Sequence, residues 1–322
     1  MSGRAALRVG TRGSALALWQ TERVRGLLAD AGHPTERVEI RTTGDMVQDV
    51  PLARIGSAAL FTRQIDEALL AGRIDLGVHS LKDLPTVLPD GIVVAAVSER
   101  EDPSDALVGR GPIRWSELQH NATVATGSLR RKAQLLHARP DLRVSDLRGN
   151  VDTRLRKLDS AEGWSAILLA AAGLLRLGLG RRIGERLPAE VMLPAPGQGA
   201  LAVTVRADDA RAGDAAQAAV HHRASALAVA AERAFLRRME GGCQVPVAAH
   251  AALETGDTLR LHGRVIALDG SRMTEGHASE RIREVAEAEH MGAALAERLI
   301  REGAGQILAE VRAAHAPSVT EP

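Results

Sequence analysis

The stretch Ile74-Asp75-Leu76-Gly77-Val78-His79-Ser80-Leu81-Lys82-Asp83-Leu84-Pro85 is decisive for the fold. Its first five residues have the apolar character of a buried strand, and polar groups follow at once. In open α/β sheets, ligands bind just beyond the carboxyl ends of the strands. We therefore predict an α/β sheet with a ligand site at Lys82 and Asp83. A solvated surface ion pair would produce the same local sequence.

Strands and helices alternate on both sides of this stretch. Arg12 and Ser14 lie in the loop between the first strand and the first helix, where backbone amides favour an anion. Both residues could equally be surface positions beside a helix cap. The predicted elements of this part are strands at 7–10, 38–41, 74–78 and 92–97, a helix beginning after Ser14, and a helix at 61–71.

A second α/β series follows the charged, proline-bearing segment 98–105, which we interpret as a crossing between domains. Arg130 and Arg131 lie in the first turn of a helix, where cations oppose the macrodipole unless an anion lies among them. This position favours a carboxylate or phosphate site over a solvated face. The predicted elements are strands at 123–125, 142–145 and 166–170, and a helix at 129–137.

A proline-rich hinge at 192–202 returns the chain to the first domain. Its Gly197, Gly199 and Ala202 match a dinucleotide fingerprint only formally, because a strand follows where a helix is required. A third, smaller domain has a helix at 224–238, strands at 247–253 and 259–267, and helices at 285–301 and 304–313. The predicted domains are 1–99 with 200–218, 104–195 and 222–314, followed by a tail at 315–322.

The composition excludes several classes of protein. The 322 residues carry a net charge of only +1, and aromatic residues are 2 % with no tyrosine, so nucleic-acid binding is disfavoured. No window is apolar enough to span a membrane, and no signal-peptide pattern precedes the first strand, so we expect a cytoplasmic chain. One cysteine allows neither an internal disulfide nor a multi-cysteine metal site, and no metal is expected.

That cysteine, Cys243, lies in Gly241-Gly242-Cys243-Gln244-Val245-Pro246, just after the 224–238 helix. The glycines and the proline predict a shaped loop. A buried small apolar residue is one interpretation, and a nucleophile or covalent anchor is the other. The negative end of the helix dipole would raise the thiol pKa, which disfavours a turnover nucleophile and leaves a thiol that reacts once.

Eight segments form an ordered series along nearly the whole chain. They are GTRGSALALWQ, VHSLKDLP, EREDPSDA, TGSLRRKAQL, LRGNVDTRLRKLD, AAAGLLRLGL, LPAPGQGA and ERAFLRRMEGGCQVP. One such motif would be weak, whereas the ordered series is highly specific. As a set, these segments resemble the porphobilinogen deaminase (hydroxymethylbilane synthase) family.

The resemblance implies two α/β domains like type II periplasmic binding proteins with a cleft between them, and a third α+β domain that presents the cysteine loop. It implies that Cys243 forms a thioether to a dipyrromethane cofactor, which the enzyme builds from its own substrate. The family joins four porphobilinogen molecules head to tail, releasing ammonia at each coupling, and frees hydroxymethylbilane by hydrolysis. Nothing in the sequence requires more than a monomer.

The resemblance also implies roles for individual residues. Asp83 matches the catalytic aspartate, since a carboxylate can stabilise the cationic azafulvene left by loss of ammonia and move protons. The acetate and propionate groups of the pyrroles call for guanidinium forks. The implied carboxylate-binding residues are Arg12, Arg130, Arg131, Arg148, Arg154 and Arg176, with Lys82, Ser14 and Gln198 beside the cofactor and Phe61 able to stack on a pyrrole.

Two departures from the family pattern affect these expectations. Many members have a lysine in a flexible loop at the position of residues 55–60, and this chain has none there, which puts a loop contact to carboxylates in doubt. Gly127 stands where serine is common. The competing interpretation is a non-catalytic binding protein for a small anion, for which Cys243 would have no use.

Overall fold

The computed structural model describes residues 5–42, 62–160, 163–239 and 245–315. The predicted tail at 315–322 lies outside these ranges except for its first residue. The strands in the described ranges are β1 Leu7–Thr11, β2 Thr35–Glu39, β3 Leu76–Ser80, β4 Ile92–Val97, β5 Asp105–Val108, β6 Thr123–Ala125, β7 Arg143–Ser145, β8 Ala166–Ala170, β9 Glu185–Arg186, β10 Leu201–Arg206, β11 Val247–Leu253, β12 Thr258–Ile266 and β13 Met273–Arg281. The helices are α1 Ala15–Asp30, α2 Arg63–Leu70, α3 Leu129–Ala138, α4 Val151–Ser160, α5 Ala171–Arg176, α6 Ala210–Val220, α7 Arg223–Arg238, α8 Val285–Leu299 and α9 Gly305–His315.

The first sheet has the order β2-β1-β3-β10-β4. β1 is parallel to β2 and β3, whereas β10 is antiparallel to both of its neighbours. Helices α1 and α6 pack on one face, and α2 packs in a separate cluster with Ile74 and Ile92. Because helices cover both faces, β3 is buried almost throughout, which explains its continuous apolar sequence.

The second sheet repeats this arrangement in the order β7-β6-β8-β5-β9. β6 is parallel to β7 and β8, and β5 is antiparallel to β8 and β9. The chain therefore passes from the first sheet to the second at residues 98–104 and returns at residues 187–200, and we call these segments the first and second chain passages. The first strand after each passage is the antiparallel one. The prediction of two similar α/β units is confirmed.

The third sheet is an antiparallel meander, β11-β12-β13. Its inner face packs against α7, α8 and α9, with Phe235 fully buried among them. The predicted smaller α+β unit is confirmed. None of the helices within the described ranges is long and apolar enough to cross a membrane.

Four strands differ from the sequence-based expectation. β2 begins and ends earlier than the predicted 38–41, since it is a largely exposed edge strand whose register is set by pairing Leu7 with Thr35. β5 and β9 were not predicted as strands, nor was β13. β13 is mostly exposed, so its sequence lacks the apolar alternation that marks a half-buried strand.

The contact between α7 and α8 depends on a glycine. A Cβ added at Gly292 would lie 2.1 Å from the carbonyl oxygen of Ala231. We expect Gly292→Ala to lower the free energy of unfolding by about 1–3 kcal/mol, because the two helices must move apart. Gly213→Ala in α6 is the control, since nothing lies within 4 Å of its Cβ position. Equal urea midpoints for the two variants would contradict this expectation.

Candidate active site

Lys82 and Asp83 lie in a short turn directly after the carboxyl end of β3, at the position that the sequence predicts. The backbone N–H of Leu81 donates to the carbonyl of Ala200, which ties this turn to the start of β10. Lys82 Nζ donates to Oε1 of Gln198 at 3.1 Å. Burial, followed by the charge of Arg131, lowers the pKa of Lys82 to about 8. A neighbouring anion would favour the charged form of Lys82 further.

Gln198 joins this turn to the second sheet. It is fully buried, and its Nε2 donates to Oδ1 of Asp105 at 3.0 Å and to the carbonyl of Pro103 at 2.7 Å. The side chain therefore spans the two chain passages between the sheets. Its bond to Lys82 brings the carboxyl end of β3 next to the start of β5.

Arg130 and Arg131 lie in the first turn of α3, as predicted, and both are buried. Arg130 Nη1 donates to Oδ2 of Asp105 at 2.7 Å, and Arg131 Nε and Nη2 donate to Oδ1 at 2.9 and 2.7 Å. Burial would raise the pKa of Asp105, but the two arginines hold it far below its usual range. The anion among these cations is thus a residue of the chain itself. Two guanidinium groups share one carboxylate, so a positive charge is left over.

Arg148 and Arg154 follow β7 at the same edge of the second sheet, because β6 and β7 are parallel. Arg154 Nε donates to the carbonyl of Gly149 at 2.6 Å. Burial and then the charge of Arg131 lower the pKa of Arg154 to about 10, while Asp83 acts in the opposite direction. Arg148 Nη1 is buried and has no hydrogen-bond partner among the described residues.

Arg12 and Ser14 lie after the carboxyl end of β1, which is parallel to β3 and places them at the same sheet edge. Ser14 Oγ accepts from the backbone N–H of Ala17 at 3.3 Å and caps α1. Burial and the charge of Arg12 lower the pKa of His79, one residue before the end of β3, to about 4.

Arg176 lies farther along the chain, at the end of α5, and is buried. Its Nη2 donates to the carbonyl of Gly199, and its guanidinium carbon stands 5.8 Å from the ring centroid of Trp19. The described contacts of Arg176 therefore lie with α1 and the second chain passage. Cys243, Phe61 and the loop residues before Phe61 lie outside the described residues.

Two protein-family models match the sequence of this chain. The family model "Porphobilinogen deaminase, dipyromethane cofactor binding domain" matches residues 7–214, and "Porphobilinogen deaminase, C-terminal domain" matches residues 226–301. This chain belongs to the porphobilinogen deaminase family. The relative from Geobacter metallireducens is 49 % identical over 95 % of this chain and 94 % of its own length. The relative from Rubrobacter xylanophilus is 50 % identical over 97 % of this chain and 99 % of its own.

As a porphobilinogen deaminase family member the chain is an enzyme, and it has the family's dipyrromethane cofactor binding domain. Among solved structures, the methionine-binding protein MetQ has a TM-score of 0.42 at 16 % identity, covering 66 % of this chain and 89 % of its own.

The charges at the site test whether the described residues fit a dipyrromethane, whose pyrroles carry acetate and propionate groups. Cations outnumber carboxylates, and the mutual effect of the cations contributes to the lowered pKa values of Lys82 and Arg154. The buried Nη1 of Arg148 also lacks an acceptor in the described part of the chain. A polyanion fits this surplus of charge. The groups that act on one another are Lys82, Arg130, Arg131, Arg148 and Arg154 against Asp83, Asp105 and Asp146.

Asp105 is not among the site residues that the sequence predicts. It is the last residue of the charged segment 98–105, and it also opens the apolar strand β5. A carboxylate at the start of a buried strand needs a cationic partner, and that signal could have pointed to the arginines of α3. Gln20 was also missed. Its Nε2 donates to Oγ of Ser80 at 2.7 Å, directly before the Lys82–Asp83 turn.

Proposed function

We propose that the chain is a transferase that condenses four porphobilinogen molecules head to tail on a dipyrromethane primer attached to Cys243. Ammonia is released at each coupling, and hydrolysis frees hydroxymethylbilane for tetrapyrrole and haem biosynthesis. The observation that carries this proposal is the surplus of buried and half-buried cations around the turn that holds Asp83. The positive charge of these cations suits a growing chain that carries many carboxylates.

In this proposal Asp83 is the catalytic residue. Its carboxylate stabilises the positive charge that develops on porphobilinogen as ammonia leaves, and it moves protons at the pyrrole nitrogen and the α-carbon. A bound dipyrromethane supplies the primer that each new pyrrole extends. Lys82, held by Gln198, places a cation beside the reacting groups.

The arginines bind the acetate and propionate groups. Asp105 already accepts several hydrogen bonds from Arg130 and Arg131, so we propose that these two act on the substrate mainly through their surplus charge. Arg148 has a buried nitrogen, Nη1, with no acceptor in the described part of the chain. We propose that this nitrogen donates a hydrogen bond directly to a carboxylate of the substrate or primer. We assign Arg12, Ser14, Arg154, Arg176 and Phe61 to the same binding surface on the strength of the family motifs.

We further propose that the enzyme works as a cytoplasmic monomer. Its three domains would be 1–99 with 200–218, 104–195 and 222–314. The three sheets fall within these segments, and the buried bridge from Lys82 through Gln198 to Asp105 supports a substrate site between the first two.

The test is turnover by the purified chain. Porphobilinogen should be consumed with release of one ammonia per pyrrole, and the product should be the linear hydroxymethylbilane. A chain that binds porphobilinogen but releases no ammonia would contradict the proposal and would favour a binding protein instead.

Replacing Arg148 by methionine is expected to raise KM for porphobilinogen. A lost charge-assisted hydrogen bond, about 1.5–3 kcal/mol, corresponds to roughly a 10- to 100-fold change. The melting temperature should not fall, because the buried Nη1 has no partner in the described part of the chain. Steady-state kinetics and thermal melts measure both effects.

Arg156→Met is the control for Arg148→Met. Arg156 forms an exposed pair with Asp152 on α4, and removing such a pair costs little. An equal rise in KM for both variants would remove Arg148 from the binding surface.

A further inference from the structure

The turn that holds Asp83 is anchored at both ends. On its N-terminal side, β3 and the bond from Leu81 N–H to the carbonyl of Ala200 hold the backbone. On its C-terminal side the chain continues through Leu84, Pro85 and Thr86 as a loop toward β4. The position of the Asp83 carboxylate therefore depends on what holds this loop.

Arg233 of α7 holds it. Arg233 Nη2 donates to the carbonyls of Pro85 at 2.7 Å and Thr86 at 3.3 Å, and Nη1 donates to that of Leu84 at 3.4 Å. One planar guanidinium thus binds three successive carbonyls, about 150 residues away in the sequence. A lysine could not reach all three with the same geometry.

The neighbouring residue fixes α7 itself. Glu232 is fully buried and forms two hydrogen bonds with Arg100, of 2.6 and 3.0 Å. Its carboxylate also accepts from the backbone N–H groups of Gly197 and Ala251, each at 2.6 Å. Both chain passages and the third sheet are therefore tied to the turn of α7 that carries Arg233.

From these contacts we propose that Arg233 is a positioning residue for Asp83. It fixes the Asp83 turn to α7, the helix that ends five residues before Cys243 in the sequence. The same helix would thus fix the position of the Asp83 carboxylate and be followed in the sequence by Cys243, which anchors the primer. The inference rests on the function proposed above, since Asp83 and Cys243 have their roles only in that reaction.

The rate of proton transfer depends closely on the position of the Asp83 carboxylate, so a residue that fixes the Asp83 turn affects that rate. A displacement of about 1 Å at a reacting group can cost roughly 100-fold in rate. Leu81 and Leu84 pack in a cluster with Ala226 and Val229 of α7, so the turn stays folded without Arg233. Loss of the guanidinium should therefore loosen the turn without unfolding the protein.

The experiment compares Arg233→Met, Arg233→Lys and Arg237→Met with the wild type. Arg237 is the control, because it lies on the same helix and forms only an exposed pair with Glu289 among its described contacts. For Arg233→Met we expect kcat to fall about 10- to 100-fold with KM unchanged. Arg233→Lys should be intermediate, and Arg237→Met should match the wild type.

Hydrogen exchange provides a readout that does not require activity. In Arg233→Met, amide exchange in the peptide containing Leu81 and Leu84 should be about tenfold faster. Intact masses should show the same adduct as in the wild type. Unchanged exchange, an unchanged kcat or a variant without the adduct would each overturn the inference. If the wild-type chain consumes no porphobilinogen, the proposed function fails, whereas the exchange comparison still decides whether Arg233 anchors the turn.

Discussion

Replacement of Cys243 by serine is expected to give a protein whose intact mass equals that of its sequence and which releases no ammonia from porphobilinogen. The wild-type protein should be heavier by two pyrrole units, with the adduct mapped to the peptide that contains Cys243. The reason is that a serine hydroxyl is a much weaker nucleophile than a thiol, so no thioether primer forms. Mass spectrometry with peptide mapping measures the difference.

The position of Cys243 in the sequence favours the proposed role of a thiol that reacts once. Cys243 comes five residues after the last residue of α7, and the C-terminal end of a helix dipole disfavours a thiolate. The cysteine therefore suits an anchor better than a turnover nucleophile. Active wild-type protein with an unmodified intact mass would contradict the covalent primer, and full activity in Cys243→Ser would contradict the anchoring role.

Replacement of Asp83 by asparagine should lower kcat by about 10²- to 10⁴-fold, the range typical for loss of a general acid–base group. Asparagine has nearly the same shape but neither carries a negative charge nor moves a proton. Because Asp83 is only half-buried, folding should remain intact. Ammonia release in a single turnover measures the chemical step, and a thermal melt measures the fold.

Asp90→Asn is the matched control for this variant, since Asp90 is an exposed carboxylate in the loop before β4. It should keep the wild-type rate. Near-normal ammonia release by Asp83→Asn would remove Asp83 from the mechanism and leave the surplus of cations without a catalytic partner.

Much of the fold could be predicted because local patterns repeat. Apolar strands such as β3 and β8 are continuous runs, and helices such as α7 show the helical period, so the alternation of elements is visible in the sequence. Ser14 and Ser128 mark helix starts because an N-cap bonds a backbone group three residues away. The family motifs are likewise short contiguous stretches, and the roles that they imply for Asp83 and Cys243 stay predictions.

The rest of the site could not be predicted, since its contacts join residues far apart in the chain. Arg130 and Arg131 lie about 25 residues from Asp105, and Lys82 lies 116 residues from Gln198. Such pairs have no period and no fixed spacing. The sequence predicted that the arginines bind an external anion. Only the packing of β5 beside α3 shows that Arg130 and Arg131 already donate hydrogen bonds to Asp105.

By itself, then, the sequence determined most of the elements and their order, the two α/β units with a smaller third unit, and the family, because these depend on local spacing. The tertiary structure decided which charges neutralise one another and which surplus remains for a ligand. It also decided that Arg233 holds the Asp83 turn. Those outcomes depend on contacts between residues that are far apart in the sequence, and local spacing does not encode such contacts.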